Sequence, residues 1–137
     1  MEEIIFNYKP MPNSSSKSVY PLAKIDLEYQ DKKRTVWPII DSGASVSIFP
    51  KVLGDDLGID FEGEPEPVEG VIGTYLGYSH YINIMIGDYK IPVRALFFIQ
   101  GDPYPLLGRE GVFNRFDVLY QERLGKVIFI KKFEKIY

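Results

Sequence analysis

The sequence predicts an all-β single domain, and three observations carry that prediction. Residues that favour pleated, half-buried strands are abundant, with 10 Tyr and 9 Phe beside many Val and Ile in 137 residues. Twelve Gly and 10 Pro punctuate the chain at short intervals, as turns between strands require. Apolar and polar residues alternate with period two in segments such as Lys24-Ile25-Asp26-Leu27-Glu28-Tyr29. Hydrophobic residues make up 45% of the chain, enough for a core, and the length suits one domain.

Taken in order, Ile4 to Tyr8 predicts a strand and Pro10 to Ser18 a loose arm, so residues 1–18 form an N-terminal strand and arm ahead of a domain over 19–137. Lys24 to Tyr29 predicts a strand, Gln30 to Lys33 a polar turn, and Thr35 to Ile40 a second strand running straight into Asp41-Ser42-Gly43. Lys51 to Leu57 predicts a short helix stopping at Gly58. Phe61 to Pro67 is acidic and Pro-bearing, hence a surface loop. Val68 to Ile72 and Thr74 to Tyr78 flank Gly73 as a hairpin. Tyr81 to Ile86 and Tyr89 to Ile99 are strands joined by a Gly87-Asp88 turn. Leu106-Leu107 is a buried strand end, Gly108 to Arg115 a second short helix, and Leu119-Tyr120 with Lys126 to Ile130 a last hairpin. There is no internal repeat.

Charge and residue inventory exclude several classes. The net charge is -3, whereas a nucleic-acid module shows a basic face, so no nucleic-acid partner is expected. With no Cys and one His, His80, the chain has no thiol nucleophile and no Cys/His zinc set, and no metal or cofactor is expected. Nothing around Ser79-His80 suggests a Ser-His-Asp triad. No basic start with a long apolar run marks a secretory leader, and no segment has the length of a membrane helix, so the expectation is a cytoplasmic protein without a membrane partner. The acidic run Asp55, Asp56, Asp60, Glu62 and Glu64 lacks EF-hand spacing and reads as a solvated loop. Tyr75, Tyr78 and Tyr81 read as strand packing.

The informative segment is Trp37-Pro38-Ile39-Ile40-Asp41-Ser42-Gly43-Ala44-Ser45. An acid sits at the end of an apolar strand, where a side chain is held rigidly yet reaches a cleft. Gly43 lets backbone approach a ligand, and the Ser42 hydroxyl can brace the turn or a neighbouring loop. Asp-Ser-Gly alone is also ordinary Asx-turn chemistry. Two further features lie downstream: Glu69-Gly70-Val71-Ile72-Gly73-Thr74, a hairpin tip, and Leu106-Leu107-Gly108-Arg109-Glu110, a strand entering a helix.

In this order the three resemble the retropepsin-like aspartic peptidases, over roughly Lys24 to Phe116. The resemblance implies a homodimeric closed β-barrel domain with one or two short helices and an aspartic endopeptidase activity on peptide or unfolded protein. It implies that Asp41, with Ser42 and Gly43, forms the catalytic loop. Two such carboxylates close together cannot both ionise, so one proton is shared. The ionised member activates water, and the protonated one polarises the scissile carbonyl. One Asp-Ser-Gly per chain then makes the partner a second copy of this chain, around a two-fold axis. The resemblance further implies that Gly43, Ala44 and Ser45 contact an extended substrate, that Val71, Ile72 and Gly73 form a flap tip, and that Tyr104 and Leu106 line side-chain pockets. Gly108 and Arg109 are implied as structural residues beside the site.

Ser45 departs from the pattern, since many retroviral members carry there a second Asp that pairs with the downstream Arg. Arg109 therefore needs another partner, with Glu110 or a backbone carbonyl as candidates. The competing readings are a domain that keeps the fold as an inactive dimerisation or peptide-binding module, and a small nucleic-acid-binding barrel. The intact Asp41-Ser42-Gly43 argues against the first and the acidic charge balance against the second.

Overall fold

A computed structural model describes residues 2–69 and 74–131. The order along the chain is β1 (Glu3–Asn7), β2 (Ile25–Tyr29), β3 (Lys32–Val36), β4 (Ile39–Ile40), β5 (Ser47–Pro50), α1 (Lys51–Asp56), β6 (Glu66–Glu69), β7 (Thr74–Ile86), β8 (Tyr89–Phe98), β9 (Leu106–Leu107), β10 (Phe116–Gln121), a 3-10 turn (Glu122–Leu124) and β11 (Lys126–Lys131). The described residues are mostly β with one short α-helix.

The larger sheet has the order β3-β2-β7-β8-β5-β9-β4, and β6 pairs β7 outside this path. β7 and β8 form its spine, paired from Gly77↔Phe98 to Ile86↔Tyr89. Their two-residue connection needs Gly87, whose φ is 58°, because tight hairpin turns demand a positive φ that side chains with a Cβ resist. The sheet curls into a half-barrel. Its β4 end meets the chain just before β2 through an isolated bridge, Leu22↔Ile39, with Ala23 N–H donating to Pro38 O at 3.1 Å and Ile40 N–H to Pro21 O at 2.9 Å.

Period two explains which side chains fill this curl. Alternate residues Ile25 and Leu27 of β2, Ile82, Ile84 and Ile86 of β7, and Ile91, Val93, Ala95 and Phe97 of β8 are buried together. Phe49 and Leu107 join them from β5 and β9. A second, three-stranded sheet has the order β1-β11-β10. It packs Phe129 edge-on to Phe6 and to Phe116, with centroids 5.7 Å apart in both pairs. The N- and C-terminal strands thus pair within one chain, Glu3↔Ile130 through Asn7↔Lys126.

Three expectations need correction. Thr35 to Ile40 is not one strand: Pro38 lacks the N–H a ladder needs, and the chain re-forms as β4 after it. β7 does not begin at Tyr81 but runs unbroken from Thr74, because Ser79 and His80 pair with Leu96 and Ala95. Residues 108–115 form a series of turns rather than a helix. Gly111, at a φ of 81°, leaves the helical region there.

Candidate active site

Asp41 directly follows β4, and the loop it opens is held from both sides. β9 lies between β4 and β5: it runs parallel to β4, with Ile39↔Leu106 and Ile40↔Leu107, and meets β5 at Ile48↔Leu106. Asp41 N–H donates to Leu107 O at 3.0 Å, Arg109 N–H to Ala44 O at 2.9 Å and Glu110 N–H to Ser45 O at 3.0 Å. Within the loop, Gly43 N–H donates to Asp41 Oδ1 at 2.8 Å, and Ala44 N–H to Asp41 O at 3.2 Å. The Asx-turn chemistry is therefore present, and it orients the half-buried Asp41 carboxylate.

Gly108 fits where no other residue does. A Cβ there would stand 2.3 Å from Val46 O and 2.8 Å from Ala44 O, so backbone meets backbone. Its N–H donates to Ser47 Oγ at 3.0 Å, and Ser47 is fully buried. A buried amide is satisfied here by a buried hydroxyl, which is what keeps both from costing stability. Composition gives no hint of Ser47; the only signal is a hydroxyl placed inward by parity within the apolar strand Ser47-Ile48-Phe49.

Nothing in the sequence places Tyr120, a residue of the last hairpin, at the site. It reaches over from β10, and its hydroxyl donates to Ile40 O at 2.8 Å, one residue before Asp41. Burial pushes its phenol up to about 12, the negative charge of Asp41 adds to this, and hydrogen bonding with Ser42 pulls the other way. The terminal sheet is thereby tied to the Asp41 loop.

Asp41 lies on the wall of a groove of about 490 Å³. Gly43, Ala44, Ser45 and Leu106 line it with Asp41, as do Val68 and Glu69 of β6, Tyr75 of β7, and Leu96 and Phe98 of β8. Tyr75 stacks on Phe98 at 5.1 Å and 10° between planes, so the β6–β7 hairpin is anchored beside the groove. Val71, Ile72 and Gly73 lie outside the described residues. Tyr104 does not line this groove. Its hydroxyl donates to Trp37 O at 2.6 Å, which fixes it against the β3–β4 link.

Glu110 is not the partner of Arg109. Arg94 of β8 takes both its carboxylate oxygens, Nε to Oε2 at 3.0 Å and the Nη2 nitrogen to Oε1 at 3.2 Å. The Arg109 side chain is exposed and meets no carboxylate among the described residues. Its place in the site is through its backbone amide. Among the described residues no group of three or more His, Cys, Asp or Glu is arranged to hold a metal, and no helix is long and apolar enough to cross a membrane.

Two solved structures share this architecture. A retropepsin-like aspartic protease from Rickettsia conorii matches with a TM-score of 0.64 and 16% identity, over 93% of this chain and 98% of that one. The EIAV protease complexed with the inhibitor HBY-793 matches with a TM-score of 0.54 and 18% identity, over 71% of this chain and 88% of that one. No protein-family model and no curated protein matches the sequence. The chain has the fold of the retropepsin-like aspartic proteases, and the resemblance read from its sequence holds at that level.

Proposed function

We propose that this protein is a homodimeric aspartic endopeptidase in which Asp41 of each subunit supplies one carboxylate of a shared pair. The observation that carries this reading is the placement of Asp41. Its carboxylate is fixed by Gly43 N–H and stands on an apolar-walled groove beside the β6–β7 hairpin. The Leu22↔Ile39 bridge supports reading the curled sheet of each subunit as a closed barrel.

One carboxylate alone does not divide the two roles that peptide hydrolysis needs. Two Asp41 side chains brought together across a two-fold axis share a single proton, since like charges at short range disfavour double ionisation. The ionised member then takes a proton from water as it attacks. The protonated member donates a hydrogen bond to the scissile carbonyl, and the proton passes to the leaving amine. Gly43, Ala44 and Ser45 hold an extended peptide along the groove, with Leu106 beneath its side chains. Val71, Ile72 and Gly73 serve as the covering flap.

The test is a pH–rate profile on an unfolded protein substrate with wild type and Asp41→Asn, alongside sedimentation. Cleavage by a dimer, lost by at least about 10³-fold in Asp41→Asn, is the expected result. Unchanged cleavage in Asp41→Asn, or hydrolysis by a strict monomer, refutes it.

A further inference from the structure

A second groove, away from Asp41, has no role in the reading above. It measures about 410 Å³ and separates β1 from residues 22–26. The Lys9↔Tyr20 bridge closes one end of it, so the two segments diverge like a fork.

The edge of β1 that faces this fork is free. Lys131 N–H donates to Glu2 O and Tyr8 N–H to Gly125 O, so the even-numbered residues of β1 direct their backbone groups to β11. The odd-numbered residues turn theirs the other way, as Lys9 does when its N–H donates to Tyr20 O at 3.0 Å and its carbonyl accepts from Tyr20 N–H at 2.8 Å. Glu3, Ile5 and Asn7 therefore present unpaired amides and carbonyls, and no strand covers them among the described residues. A short exposed edge of this kind is a template for an added strand.

The charge beside it is specific. The ammonium groups of Lys9 and Lys24 both stand near the Trp37 ring, 5.8 and 5.9 Å from its centroid. Neither has a carboxylate partner among the described residues. Asp26 also lines the groove, where its carboxylate accepts from the Thr35 hydroxyl at 2.6 Å and pairs with neither lysine. Two ammonium groups converging on one indole with no ion-pair partner favour an anion there.

We propose that the free edge of β1 and this groove bind an extended, acidic peptide segment. Its backbone extends the terminal sheet, and a carboxylate settles at Lys9 and Lys24. The site is distinct from the Asp41 groove and does not depend on catalysis there.

Trp37 is the sole tryptophan, so its emission reports directly on this site. The experiment titrates Asp41→Asn protein with a labelled hexapeptide of alternating Glu and Val, and separately with its Lys/Val counterpart. Peptide anisotropy reads binding and Trp37 emission reads its location. The expected result is saturable binding of the Glu/Val peptide with a change in Trp37 emission, weakened at least tenfold in the Lys9→Glu, Lys24→Glu double variant. Ile5→Pro removes only an outward-facing N–H and spares the β1–β11 ladder, so it also weakens binding while the far-UV spectrum stays native. Equal affinity for the Lys/Val peptide, no loss in the double variant, no binding, or binding that leaves Trp37 emission unchanged overturns the proposal. So does a sedimenting dimer that Ile5→Pro converts to monomer, which assigns the edge to a second copy.

Discussion

The Asp41 loop and the three-stranded terminal sheet are held in opposite ways. The loop is fixed mainly by backbone amides: Asp41 N–H donates to Leu107 O of β9, Arg109 and Glu110 donate into the loop, and Gly43 and Ala44 donate back to Asp41. Gly108 is pressed against the carbonyls of Val46 and Ala44. The terminal sheet is fixed by side chains, with Phe6, Phe116 and Phe129 packed edge to face beneath its ladder. A reacting group needs a position defined within fractions of an ångström, and short, directional hydrogen bonds deliver that better than apolar contacts. Apolar contacts supply most of the stability and tolerate small rearrangement. Tyr120 is where the two meet, since it belongs to the terminal sheet and bonds the carbonyl before Asp41.

If that contrast is right, a single methyl group at the loop does more damage than a large cavity under the sheet. Gly108→Ala should cost more than about 4 kcal/mol, the extreme of single substitutions, because the clash is with backbone carbonyls that have nowhere to move. Chemical denaturation checks this, and a near-neutral result would show that the loop is more pliant than its contacts imply. Phe129→Ala, at a fully buried position, should cost about 3–5 kcal/mol in the same measurement.

The smaller effects sharpen the division. Ser47→Ala leaves the buried amide of Gly108 without an acceptor and should cost about 1–3 kcal/mol. Its loss should fall on the loop, seen as faster amide exchange at Gly108 while β1 and β11 stay protected. Tyr120→Phe removes one hydrogen bond and should cost about 1 kcal/mol. It also predicts a pH signature. The phenol ionises in the unfolded chain near its ordinary value of 10 and in the folded one at about 12. The folded state thus holds the proton more tightly, and wild-type stability is intact below pH 10 and falls as pH rises toward 12. Tyr120→Phe should show less of this alkaline loss in denaturation curves taken from pH 9 to 12.

Much of the fold was legible in the chain because its signals are local. Alternation in β2, the Gly87-Asp88 turn, the helix stopping before Gly58 and the last hairpin all follow from neighbouring residues. The Asp41 loop was legible for the same reason, since Asp-Ser-Gly makes its own Asx turn whatever surrounds it. Local signals failed where the deciding partner was distant in sequence. The single long β7 depends on pairing with β8, and Ser79-His80 gives no hint of it. Glu110 sits next to Arg109 in sequence, yet Arg94 on β8 holds it, because a turn points neighbouring side chains apart while strand packing brings remote ones together.

The sequence by itself determined the mostly β class, the Gly87-Asp88 turn and the candidate acid Asp41, since each depends on conformational preferences within a few residues. Only the tertiary structure decided that Ser47 and Tyr120 support the Asp41 loop, that Tyr104 faces the β3–β4 link, and that one edge of β1 stands open beside Lys9 and Lys24. Those outcomes depend on which strands pair and in what register. Register is settled by the burial of the whole apolar face at once, a collective quantity that no short segment contains.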